Sequence, residues 1–257
     1  MKVWQKSILA LSASAALTPA VMAKDLDTVV SFSVMADIVK QVGGEHVHVT
    51  TLVGPDGDPH TFEPAAKDSV TLKQADVVFI NGLGLEGWMD RLVTASGYQG
   101  DVVTMSNGVT TLTMEEDGEH LIDPHAWNSA KNGAIYARNV MNALIKADPE
   151  DADYYKAKGQ AYIEQLEKLD QWAKSEFAEI PVEKRKVLTS HDAFGYFGEA
   201  YGVSFLSPVG VSTEAQASAK GVAELIDQLK SEHISAYFIE NQTDPRLVEQ
   251  IAKASGA

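Results

Sequence analysis

The chain has 257 residues, 45% of them hydrophobic and 22% charged, with 19 glycines and 9 prolines, which excludes a disordered, collagen-like or multi-span membrane chain. Acids outnumber bases 36 to 21, a formal charge of -15 that repels nucleic-acid phosphates and anionic lipid, so nucleic acid is excluded as a partner. There is no cysteine, which removes disulfide scaffolds, thiol nucleophiles and thiolate metal sites and leaves His, carboxylate or water as the only metal ligands.

Residues 1–23 differ in character from the rest of the chain. Lys2 and Lys6 give a positive start, a short apolar run extends from Ile8 to Leu17, and Val21 and Ala23 are the small residues a signal peptidase reads. The run is too short to span a bilayer. With no cysteine at the cut, the expectation is a periplasmic protein secreted by a cleavable signal and not lipid-anchored.

From Thr28 onward, β-branched runs alternate with helical patterns. Residues 29–35, 47–52, 77–81 and 102–105 read as buried strands, and 36–42, 65–74 and 86–96 as the helices between them. This alternation predicts an α/β fold with a mostly parallel sheet covered on both faces. After Asp148-Pro149 the chain runs to Ile180-Pro181 with one glycine and no proline, and Tyr155, Tyr162, Leu166, Leu169 and Trp172 recur at helical spacing. About 30 helical residues make a rod of roughly 45 Å, long enough to join two lobes.

A second α/β set comes next, with strands at 187–190, 203–206 and 236–239 and helices at 193–201, 220–231 and 246–255. The expected organisation is a signal peptide (1–23), an N-terminal lobe (24–148), a rigid linking helix (149–180) and a C-terminal lobe (181–257). A further strand would ordinarily succeed the last helix, so the second lobe reads as incomplete.

Three histidines stand where chemistry tends to sit in such folds. His60 lies in Gly54-Pro55-Asp56-Gly57-Asp58-Pro59-His60 after a strand, His125 comes directly after Asp123-Pro124, and His191 lies in Thr189-Ser190-His191-Asp192 at the carboxyl end of another strand. Singly, each reads as a hydrogen-bonded structural residue; together, in a chain without cysteine, they read as a His-rich metal site. His46 and His48 alternate along one predicted strand face, His233 sits by a helix end, and His120 closes the acidic loop Glu115–His120, which could gather cations loosely. Three His plus water would also suit a zinc hydrolase, for which Glu63, Asp58 or Glu240 are the available bases.

Two motifs are set aside. Gly82-Leu83-Gly84-Leu85-Glu86-Gly87 matches a dinucleotide-binding GxGxxG, yet Glu86 puts negative charge where a pyrophosphate must sit. Ser190, His191 and Asp192 are sequence neighbours, which point apart on a turn instead of forming a relay.

The motifs Gly57-Asp58-Pro59-His60-Thr61-Phe62-Glu63-Pro64, Asp123-Pro124-His125-Ala126-Trp127 and Thr189-Ser190-His191-Asp192-Ala193-Phe194-Gly195-Tyr196-Phe197 resemble the metal-binding proteins of ABC-type zinc and manganese importers. Asn81-Gly82-Leu83-Gly84-Leu85-Glu86-Gly87-Trp88 and Phe238-Ile239-Glu240-Asn241-Gln242-Thr243-Asp244-Pro245-Arg246 fit the same family, in the same order along the chain. The resemblance implies two α/β lobes joined by a long helix, with one metal in the cleft between them. It implies His60 and His125 as ligands from the first lobe and His191 from the second, and no catalytic role. Manganese members usually carry a carboxylate where this chain has His191, so the expected cargo is Zn²⁺, with a manganese or iron receptor as the alternative. The family's fourth ligand, a late acid, would fall beyond Ala257 or be replaced by water. Asp58, Asp123 and Asp192 read either as turn residues or as partners that orient the rings. The implied partners are a membrane permease and a periplasmic zinc chaperone, with the receptor itself a monomer.

Overall fold

The computed structural model describes residues 25–116, 119–213 and 217–257; the export segment lies outside them. Four parallel strands, β1 (Leu26–Phe32), β2 (Val47–Val53), β3 (Val77–Ile80) and β4 (Asp101–Thr104), form a sheet in the order β2-β1-β3-β4. Helices α1 (Ser33–Gly43), α2 (Ala66–Gln74) and α3 (Met89–Ser96) connect them. The first strand begins and ends three residues earlier than its composition predicts: Ser33 to Met35 form the first turn of α1. Met35, Ile38, Val39 and Val42 are buried along one helical face, and that period outweighs the β-branched composition. The third helix also starts later than predicted, because Glu86 caps the preceding loop instead of entering a helix.

The stretch that reads as an acidic loop is an antiparallel hairpin, β5 (Thr113–Glu116) and β6 (Glu119–Ile122), which pairs Glu115 with His120. After it come α4 (Ala130–Ala147) and the 28-residue α5 (Ala152–Glu179), entered through a 3-10 turn at Pro149–Asp151. At 1.5 Å per residue α5 is about 42 Å long. Its first half lies along α4 and α1, adding Tyr155 and Ile163 to the main core. Its second half packs Ala173 with Val187, Tyr201 and Val203, and buried Asp170 accepts from the Tyr201 hydroxyl at 3.3 Å. One helix therefore belongs to the cores at both of its ends.

Beyond α5, β7 (Lys186–Leu188) pairs in parallel with β8 (Ser204–Leu206), flanked by α6 (Gly195–Tyr201), α7 (Ala219–Ser231) and α8 (Arg246–Ser255). The strand predicted at 236–239 makes only one parallel bridge among the described residues, Leu188 to Tyr237. Leu188, Leu225, Leu229, Val248 and Ile251 form a core separate from that of the first sheet. The fold is thus α/β with mostly parallel pairing and a long helix bridging two packed regions. No described helix is long and apolar enough to cross a membrane.

Candidate metal centre

His60 lies in the loop between β2 and α2, which is pinned from both sides. The buried Trp88 indole N–H donates to the Pro59 carbonyl at 2.8 Å, and the His60 backbone N–H donates to Asp58 Oδ1 at 2.9 Å. Both contacts fix the peptide that carries the ring.

His125 comes just after β6 and is held by two buried residues. Asp123 Oδ1 accepts from the His125 backbone N–H at 2.9 Å and from its ring Nδ1 at 2.8 Å. Asn81 donates to the Pro124 carbonyl at 2.9 Å while its own Oδ1 accepts from the Tyr136 hydroxyl at 2.5 Å. Burial raises the pKa of that hydroxyl, the nearby Glu86 adding to the shift, so it stays a donor.

His191 stands just past β7, where two backbone N–H groups leave the sheet. Those of Ser190 and His191 donate to Glu240 Oε1 at 3.0 and 3.2 Å, and the His191 ring Nδ1 bonds Glu240 Oε2.

The three imidazoles meet. His125 Nε2 lies 3.1 Å from His60 Nε2 and 3.4 Å from His191 Nε2, and the candidate ligand atoms of all three fall within 4.8 Å of one another. Carboxylates on the Nδ1 atoms of His125 and His191 assign the ring protons to that side. With the ring protons on that side, the two Nε2 lone pairs face each other at 3.4 Å, an arrangement a cation relieves. Burial, then the neighbouring His125, lowers the His60 pKa from 6.5 to about 4, and burial lowers that of His125 as well. Both rings are thus kept in the neutral form that binds metal. Cavities of about 490, 550 and 440 Å³ open beside His191, beside His60, and beside His125 with His191, respectively.

The structure sorts the remaining candidates. Asp123 bonds a ring, Asp58 bonds a backbone N–H, and the Asp192 backbone N–H bonds the carbonyls of Val209 and Gly210. His46 is in a 3-10 turn ahead of β2 and pairs with Asp151 at 2.7 Å, so it shares no strand face with His48, which lies 3.3 Å from Asp25. His120 and His233 stand outside the three-histidine group. In the glycine loop, Gly82, Leu83 and Gly84 adopt φ of 82°, 58° and 86°, and Glu86 itself accepts from the N–H groups of Asn81 and Gly82 at 2.7 and 3.0 Å. The protein's own carboxylate takes the place of a phosphate. Ser190 Oγ is buried without a hydrogen-bond partner among the described residues, and His191 Nδ1 is committed to Glu240, so these residues form no serine relay.

Glu240 is the functional residue whose role sequence reasoning misses. The sequence offers it only as a base, because no periodicity links it to a histidine 49 positions away.

Residues 28–257 match the family described as ZnuA, zinc-uptake complex component A, periplasmic. The chain belongs to that family. It is 35% identical over 237 residues to the manganese ABC transporter substrate-binding lipoprotein PsaA of Streptococcus pneumoniae, covering 90% of this chain and 76% of that one. It is 34% identical over 257 residues to the iron ABC transporter substrate-binding lipoprotein MtsA of Streptococcus pyogenes, covering 96% and 82%. The solved structure of the periplasmic zinc-binding protein TroA from Treponema pallidum superposes with a TM-score of 0.84 at 33% identity, covering 90% of this chain and 84% of that chain.

As a member of the ZnuA family the chain is a metal-binding receptor of an ABC importer, not an enzyme, and a membrane permease is its partner. One expectation is corrected. Both curated relatives are named lipoproteins, so the reading of a receptor without a lipid anchor does not stand. The physical reason is that a short apolar leader specifies export, and what afterwards retains a chain at the membrane is a separate matter. A position facing outward from the cytoplasmic membrane fits the family.

Proposed function

We propose that the chain captures Zn²⁺ through His60, His125 and His191 and hands it to the permease. Support comes from the geometry of the donors. A tetrahedral zinc with Zn–N bonds of about 2.05 Å separates its nitrogens by roughly 3.3 Å. The two Nε2 separations from His125 are 3.1 and 3.4 Å, and among the described residues no carboxylate belongs to the group of converging donors. Neutral imidazole suits zinc, whereas manganese favours oxygen. In this reading His60 and His125 belong to a lobe spanning 24–148, His191 to one spanning 181–257, and 149–180 is the helix between them.

A second reading has manganese or iron as cargo, which the names of PsaA and MtsA favour. Competition titration of the metal-free protein separates the two. The expected result is one zinc bound, held far more tightly than manganese, with affinity weakened in His60→Ala and His191→Ala. Tighter binding of manganese overturns the zinc assignment and leaves the receptor in place.

A further inference from the structure

We propose that Glu240 is the positioning residue that makes His191 a ligand, by holding the ring proton on Nδ1 so that Nε2 is bare towards the site. The role rests on the reading of the protein as a zinc receptor and extends it to a residue that touches no metal.

Both oxygens of Glu240 are committed. Oε1 accepts the backbone N–H groups of Ser190 and His191, which fixes the carboxylate against the loop, and Oε2 bonds the His191 ring. The pair is enclosed, with His191 at 2% and Glu240 at 11% side-chain exposure, so water does not compete for Nδ1. The backbone leading to Glu240 is itself tied to β7: Leu188 N–H donates to the Ala236 carbonyl at 3.0 Å, and Phe238 N–H donates to the Leu188 carbonyl at 2.9 Å. The ring is therefore oriented by a carboxylate that the neighbouring bridge holds in register.

Charge follows the same logic. Three neutral imidazoles leave a bound dication uncompensated, and the carboxylates of Asp123 and Glu240, each one ring away, supply two negative charges. Among the described residues no carboxylate bonds the His60 ring, so His125 and His191 carry that compensation.

Glu240→Gln tests the idea with little change of shape. Glutamine has one acceptor oxygen and one NH₂ donor. The two backbone N–H groups keep the oxygen, which turns the NH₂ towards Nδ1, and the neutral ring then carries its proton on Nε2, pointing into the site. Glu240→Ala would strand two buried donors and unfold the loop, so it is the poorer variant.

Two measurements decide it. Nitrogen–proton correlation spectra of the metal-free protein report which nitrogen of His191 is protonated: Nδ1 is expected in the wild type and Nε2 in Glu240→Gln. Zinc competition titrations are expected to show a loss of about 10–100-fold in Glu240→Gln. In a His191→Ala background the same change is expected to cost much less, since Glu240 acts through that ring. A wild-type ring protonated on Nε2, an unchanged affinity in Glu240→Gln, or an equal loss in both backgrounds overturns the proposal. The spectra need no metal, so a wild type that bound no zinc would defeat the zinc reading while they still decided what Glu240 does.

Discussion

A methyl group added to Gly195 would stand 2.7 Å from Oδ2 of Asp123, the residue whose other oxygen holds the His125 ring. Real side chains do not approach that closely, and Asp123 is fully buried, so it has no free volume into which to retreat. Gly195→Ala is therefore expected to displace the partner of His125 and weaken zinc binding by about 10-fold or more. Gly87→Ala, where an added methyl meets nothing within 4 Å, is the matched control and should leave affinity unchanged. Equal zinc titrations for the two variants would show that Asp123 does not govern the ring.

The pH dependence has a definite sign. His60 falls from 6.5 to about 4 in the folded protein, so between those values the unfolded chain binds a proton that the folded chain does not. This contribution to the stability of the metal-free protein is complete above pH 6.5 and is lost as pH falls towards 4. Melting curves should show that slope, and His60→Ala should flatten it. An unperturbed imidazole would begin losing zinc near pH 6.5, whereas this ring stays neutral below that. An unchanged slope in His60→Ala would contradict the burial argument.

Two second-region side chains grip the loop that carries His60. Asn241 Nδ2 donates to the Pro55 carbonyl and, at 3.1 Å, to Asp56 Oδ1, while the Thr213 hydroxyl donates to Asp58 Oδ2 at 2.5 Å. Hydrogen bonds of this kind contribute about 0.5–1.5 kcal/mol each. The double variant Asn241→Ala, Thr213→Val should release zinc several-fold faster to a chelator in stopped flow, with the metal-free melting temperature lowered by several degrees. An unchanged release rate would mean that the grip plays no part in retention.

Exchanging His191 tests the proposed metal choice. His191→Glu alone places a carboxylate against Glu240 and should weaken zinc and manganese alike. Adding Glu240→Gln replaces that repulsion with an amide donor, and manganese binding should recover more than zinc binding. Competition titrations of the single and double variants check the order.

Much of the fold is legible in the residues. The alternation of β-branched runs with helical periods predicts the parallel sheet, and Pro149, Pro181 and the recurring aromatics frame α5, because each depends on spacing within a few residues. His60, His125 and His191 stand out through their Asp-Pro and strand-end contexts. The β5–β6 hairpin is hidden by its acidic composition: cross-strand pairing of Glu115 with His120 depends on register, which composition does not carry. The segment at 236–239 has the composition of a strand, yet pairing gives it one bridge. The role of Glu240 is invisible for the same reason, since the contact with His191 arises only when two separate loops are brought side by side by β7.

X-ray absorption at the zinc edge of the loaded protein counts the ligands directly. Three imidazole nitrogens at about 2.0–2.1 Å, with the outer-shell scattering of three rings, are expected, falling to two in His191→Ala if that variant still holds the metal. A shell dominated by oxygen, with one imidazole or none, would contradict the three-histidine site.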